Sequence, residues 1–106
     1  MADWDELAAA LARATGSEAA LDQLIATAFA TDPVDFTASV GAAHDLAVAA
    51  LPGWKLHVGF DANGMFPYAA LTQGDLHVEA NAPTVPLAIL RAAVAAKLRQ
   101  PREPTP

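Results

Sequence analysis

Pro52-Gly53-Trp54-Lys55-Leu56-His57-Val58-Gly59-Phe60-Asp61-Ala62-Asn63-Gly64 is the stretch on which the fold turns. Upstream of it, apolar residues recur three and four positions apart. Beyond Pro52-Gly53 they recur at every second position, with Trp54, Leu56, Val58 and Phe60 alternating with Lys55, His57 and Gly59. Side chains two apart share one face of a strand, so the alternation predicts a half-buried strand. Asn63-Gly64 supplies a residue pair that tolerates positive φ, the strongest short hairpin signal. A second strand is expected over 65–71, a turn at Thr72-Gln73-Gly74-Asp75, and a third strand over 76–80.

Working outward, the flanks read as helices. Asp3 with Glu6 three residues on resembles a capping box, and Trp4, Leu7, Ala8, Leu11 and Ala14 follow at helical spacing up to Thr15-Gly16. Ser17 is the expected cap of a second helix with the stripe Leu21, Leu24, Ile25 and Ala28, ending before Asp32-Pro33. Ser39 caps a third, whose face is Val40, Ala43, His44, Ala47 and Leu51. Thr84 caps the last, with Pro86 in its first turn and Leu87, Leu90, Val94 and Leu98 as its main stripe. Ile89, Ala92, Ala93 and Ala96 lie round the other side, so this helix is expected to be covered twice.

The class predicted is α+β in the order α-α-α-β-β-β-α: an N-terminal helical pair over 1–31 and an αβββα core over 39–98, within one domain over 1–100. A proline-rich tail over 101–106 follows. Helices three and four are expected on one face of a three-stranded antiparallel meander. The helical pair is the candidate cover for the other face.

Composition narrows the chemistry. At 106 residues there is room for one core, and a domain of this size buries only about 60–65% of its unfolded surface. Alanine makes up 27 of the hydrophobic residues, so a helix-rich body with its aromatics carrying much of the packing is expected. Cysteine is absent, which removes disulfides and thiolate chemistry and favours a cytoplasmic setting. The opening Met-Ala-Asp-Trp-Asp-Glu is acidic where a signal peptide would be basic, and no apolar run is long enough to span a membrane. The net charge of −6 disfavours direct binding to nucleic acid or anionic lipid. Eight acids and a single base, Arg13, fall in residues 1–45, whereas Arg91, Lys97, Arg99 and Arg102 gather after residue 85. Helix-dipole complementarity is the plain account of such a split and is preferred; an acidic face that meets a basic partner is the sharper alternative.

Residues 39–98 resemble a set of short phage and prophage proteins described as a phage ABA-sandwich domain. The likeness rests on Leu51-Pro52-Gly53-Trp54, which closes a helix and opens a strand, and on the threonine-capped, alanine-rich run from Ala82 to Val94. It implies a phage origin and a fold, not a reaction. The double-stranded-RNA-binding domain shares the order helix, three strands, helix. It contacts phosphates with lysines at the start of its last helix, where this chain has the uncharged Pro83-Thr84-Val85-Pro86-Leu87.

With turns at Asn63-Gly64 and Gln73-Gly74, the inward row is Leu56, Val58, Phe60, Met65, Pro67, Ala69 and Leu71. The outer face then shows the rows His57–Ala70–His77 and Gly59–Tyr68–Glu79, with Lys55 and Phe66. His57 and His77 would stand roughly 9–10 Å apart, with Glu79 diagonal to them. Tight metal sites take three or four ligands, so neither metal nor cofactor is assigned. Tyr68 and Phe66 read as a contact surface or as the seat of the first two helices, with Trp4 as anchor. Asp32 and Asp35 sit in a proline-bearing loop as turn formers or as part of an acidic docking face. Ser17 and Ser39 are better spent as caps, no Gly-x-Ser-x-Gly elbow occurs, and the six glycines form no phosphate loop. No catalytic set is assigned. The expected activity is protein–protein binding by a small phage or prophage accessory protein, in the style of an anti-CRISPR inhibitor of a host defence complex. Its partner would be a basic, nucleic-acid-binding assembly. The alternatives are an assembly protein that self-associates, as a homodimer, through the outer sheet face or the Ile89–Ala96 side, and a small-molecule or metal-binding module at His57, Tyr68, His77 and Glu79.

Overall fold

The computed structural model describes residues 3–60 and 62–99, so the tail expected at 101–106 lies outside the described residues. Seven elements follow one another: α1 (Trp4–Arg13), α2 (Ala19–Phe29), α3 (Val40–Ala50), β1 (Lys55–Phe60), β2 (Pro67–Gln73), β3 (Leu76–Asn81) and α4 (Val85–Arg99). This is the expected α+β order, and the strands form an antiparallel meander β1-β2-β3.

Helix starts follow local chemistry in three cases of four. Asp3 Oδ1 accepts the Glu6 N–H at 2.9 Å, Ser39 Oγ the Ala42 N–H at 3.1 Å, and Thr84 Oγ1 the Leu87 N–H at 3.3 Å. The start of α2 departs from expectation. Glu18 rather than Ser17 is its N-cap, and its side chain makes no capping bond. Instead Thr37, from the loop beyond the helix, accepts the Glu18 N–H on its hydroxyl oxygen at 2.9 Å. Asp22 Oδ1 accepts both the backbone N–H and the hydroxyl of Thr37, each at 2.8 Å. Thr37 is buried yet fully bonded, as a buried polar group must be. At the other end, the N–H groups of Ala30 and Thr31 return to the Thr27 and Ala26 carbonyls, and Ala30 sits at φ 55°. This is a Schellman closure built on an alanine where glycine is usual.

The core forms around α4. Its Leu87, Ile89, Leu90 and Val94 are fully buried together with Ala88, Ala92, Ala93 and Ala96. Each large side chain contributes about 1.5–3 kcal/mol by leaving water. One side of α4 packs on β2 and β3, while α1 and α3 pack on its other sides. The double coverage of this helix is therefore real, and the Ile89–Ala96 side is not available for self-association. Helix α3 rests chiefly on α4 rather than directly on the sheet. Among the aromatics, Phe36 is buried in this core, and Trp4, Phe29 and Trp54 lie partly buried against it. Leucine and alanine do most of the packing, contrary to the weight that composition placed on aromatics. His44 is exposed rather than inward, because the buried stripe of α3 is Ala43, Leu46 and Ala47.

Arg91 joins the layers. Its guanidinium donates to the carbonyls of Leu11 (2.9 Å), Ala12 (3.2 Å) and Ala14 (3.0 Å) at the end of α1, and to Asn81 (2.8 Å) at the end of β3. A helix C-terminus carries unsatisfied carbonyls and partial negative charge, so a cation there is doubly favoured. Desolvation lowers its pKa from the ordinary arginine value, but the group stays protonated near neutral pH. Replacing Arg91 with Met keeps much of the stem and removes every one of these bonds. Urea denaturation is expected to show a loss of about 3 kcal/mol for Arg91→Met. Ala30→Gly should move the same midpoint the other way, by about 0.5–1 kcal/mol, since alanine is strained at positive φ.

Candidate docking surfaces

The outer face of the sheet is open. The first two helices do not cover it: α1 spends its stripe on α4 and α2, where Leu7 and Leu11 are buried. Trp4 anchors there too, meeting Phe29 edge-on at 4.9 Å with Lys97 Nζ 6.0 Å above its ring. The periodicity of α1 required a buried stripe, but a sheet face and a helix surface satisfy that requirement equally.

The β1–β2 register is the expected one, with His57 opposite Ala70 and Gly59 opposite Tyr68. Pairing stops at Phe60–Pro67, however, so Met65 and Phe66 fall in the connecting loop and not in the strand. Val58, Phe60 and Met65, expected inward, are exposed because α4 lies over β2 and β3. The β2–β3 register differs from expectation by two residues. The turn is Gly74-Asp75, closed by the pair Gln73–Leu76, with positive φ at Gly74 and not at Asp75. That is a type II′ pattern, which wants glycine at its first central position. A shift of two keeps every residue on its face but changes its neighbours. The rows are in fact Lys55–Thr72–His77, His57–Ala70–Glu79 and Gly59–Tyr68–Asn81.

His57 and His77 therefore do not flank Ala70, and among the described residues no three His, Asp or Glu side chains gather as a metal-holding group. His77 Nε2 instead lies 3.7 Å from Glu79 Oε1, both side chains more than half exposed, a pair worth little in water. His57 Nε2 lies 3.1 Å from the Tyr68 hydroxyl, with the two rings tilted at 5.8 Å. The Tyr68 ring reaches His57 by lying across Gly59. A Cβ at Gly59 would come within 3.1 Å of Tyr68 Cε1 and Oη. Glycine here lets an aromatic ring lie flat on the neighbouring strand.

A second surface lies between the 31–36 loop and α3. It is an open groove of about 560 Å³ with Phe36 and Leu46 buried at its floor and Val34 exposed at its side. Asp32 and Asp35 rim it, joined by Asp45 from α3. Asp45 Oδ1 is 3.3 Å from His44 Nδ1, whereas the Asp32 and Asp35 carboxylates have no hydrogen-bond or ion-pair partner among the described residues. The turn-forming role expected of Asp35 is carried by its backbone, whose carbonyl accepts from Ala38 and Ser39. Asp45 escaped the sequence reading, since nothing local says that a residue ten positions along faces the same groove. The groove can seat an aliphatic stem and meet its charged end, as lysine and arginine side chains require.

The chain matches no protein-family model, no curated protein and no solved structure. Among the described residues no helix is long and apolar enough to cross a membrane.

Gly59→Ala should lift the Tyr68 ring and break its bond to His57. Loss of the nuclear Overhauser contacts between the two rings, with a stability change under about 1 kcal/mol, is the expected result.

Proposed function

We propose that this chain works by docking a basic protein partner in the groove of Asp32, Asp35 and Asp45. The observation that carries this reading is a pair of carboxylates left without partners above an apolar floor. A protein interface gains most from apolar anchors in a pocket, while complementary charge supplies on-rate and selects the partner. The net charge of −6 acts in the same direction at longer range. Together with the likeness of residues 39–98 to phage ABA-sandwich proteins, this favours a cytoplasmic phage or prophage accessory protein. Its most concrete role is an inhibitor that occupies the cationic nucleic-acid groove of a host defence complex, without catalysis of its own.

The test compares the wild-type chain with the triple variant Asp32→Asn, Asp35→Asn, Asp45→Asn as immobilised bait for host lysate. A nucleic-acid-binding complex should be retained at low salt and released as salt rises. The triple variant should bind it about 10–100-fold more weakly, matching loss of three exposed charges. Equal retention by the variant, or retention of nothing at low salt, would refute the reading.

A further inference from the structure

We propose that β1 is the seam of a symmetric homodimer: two copies pair their β1 strands antiparallel, about a two-fold axis at Val58, into one continuous six-stranded sheet. This surface is separate from the acidic groove and stands without it.

β1 is an edge strand whose sole ladder partner is β2, and among the described residues no other backbone hydrogen bond reaches it. Its outer edge therefore offers a row of donors and acceptors to another strand. Proteins usually guard such an edge with charges, proline or a bulge. Lys55-Leu56-His57-Val58-Gly59-Phe60 has a single full charge, at its first position, and pairs with β2 without interruption. The opposite edge, β3, is different: it carries Glu79 and His77, and α4 packs beside it. On the helix side of β1, Val58 is 38% and Phe60 61% exposed, a shelf that α4 does not reach.

The strand is self-complementary in one register. A two-fold axis normal to the sheet preserves faces, so outward residues must meet outward residues. With Val58 opposite its own copy, Leu56 faces Phe60 of the second chain and His57 faces Gly59. All three apolar side chains then meet apolar partners on the helix side, and the two Lys55 side chains fall at opposite ends. Moving the axis to His57 would set the two imidazoles against each other and leave Phe60 beyond the pairing, so Val58 is favoured. Covering both edges and both shelves removes on the order of 1,000 Å² from water, at the small end of specific interfaces, which points to a dimer of micromolar rather than nanomolar affinity.

The chain lacks cysteine, which makes a direct test clean. Val58→Cys places the new sulfur on the axis, where facing Cβ atoms approach within about 5 Å. Under mild oxidation it should form a disulfide-linked dimer at least about tenfold faster than Val48→Cys, a control on α3 at a more exposed position. Sedimentation of the wild type should show a dimer growing in over micromolar concentrations. Phe60→Lys should keep its circular dichroism and remain a monomer. Equal cross-linking rates, a wild type monomeric throughout, or a dimer that survives Phe60→Lys would each overturn the proposal.

Discussion

Arg91 binds the end of α1 to the end of β3 from a position on α4, and the layer arrangement depends on that junction. Of the three carbonyls at the close of α1 that Arg91 reaches, Leu11 O also accepts the Ala14 N–H at 3.2 Å, while the helix supplies no such donor to Ala12 and Ala14. A guanidinium is well matched to them, since its planar fork spreads several donors over a small area. Lysine offers a compact point charge and could not reach Leu11, Ala14 and Asn81 together. The bonds from Arg91 to α1 span 77 to 80 residues of sequence. They hold the N-terminal helices against α4 and not over the sheet.

That placement determines which surfaces are free. All four helices lie to one side of the meander, with α4 as the element the others share. The outer sheet face is left to Lys55, His57, Tyr68, His77 and Glu79, small in apolar content apart from the tyrosine ring over Gly59. The 31–39 loop is held in turn by Thr37, which bonds to both ends of the first turn of α2. With Thr37 and Phe36 buried, the loop is fixed from below, and Asp32 and Asp35 are carried on a firm support. Rigid presentation lowers the entropy cost of binding, which long flexible acidic segments would pay in full.

Much of this was legible locally. Alternation from Trp54 to Phe60 and the Asn63-Gly64 pair were enough for the first hairpin and its register, because both signals act within a dozen residues. The second hairpin sits two residues from its expected register, since Gly74 serves equally well as the first or second member of a tight turn on sequence grounds. Its backbone angle decides between them. Ser17 lost its expected cap to Thr37, which lies 19 residues away from the group it bonds. The same applies to Arg91, which by sequence alone is one charge among the four after residue 85. Periodicity tells that Leu7 and Leu11 need cover; only packing tells that α4 provides it. Of the docking residues, Asp32 and Asp35 were visible and Asp45 was not, because their proximity is made by the seating of α3 beside the loop.

The central position of α4 has a consequence for how the chain comes into being. During synthesis the three upstream helices and the sheet emerge before the element on which α1, α3, β2 and β3 all close. Until residues 85–99 clear the ribosome, their apolar stripes lack their shared cover, although α1 can already meet α2 through Trp4 and Phe29, and incomplete chains stay open to chaperones and proteases. The layers close on one another only once α4 is in place.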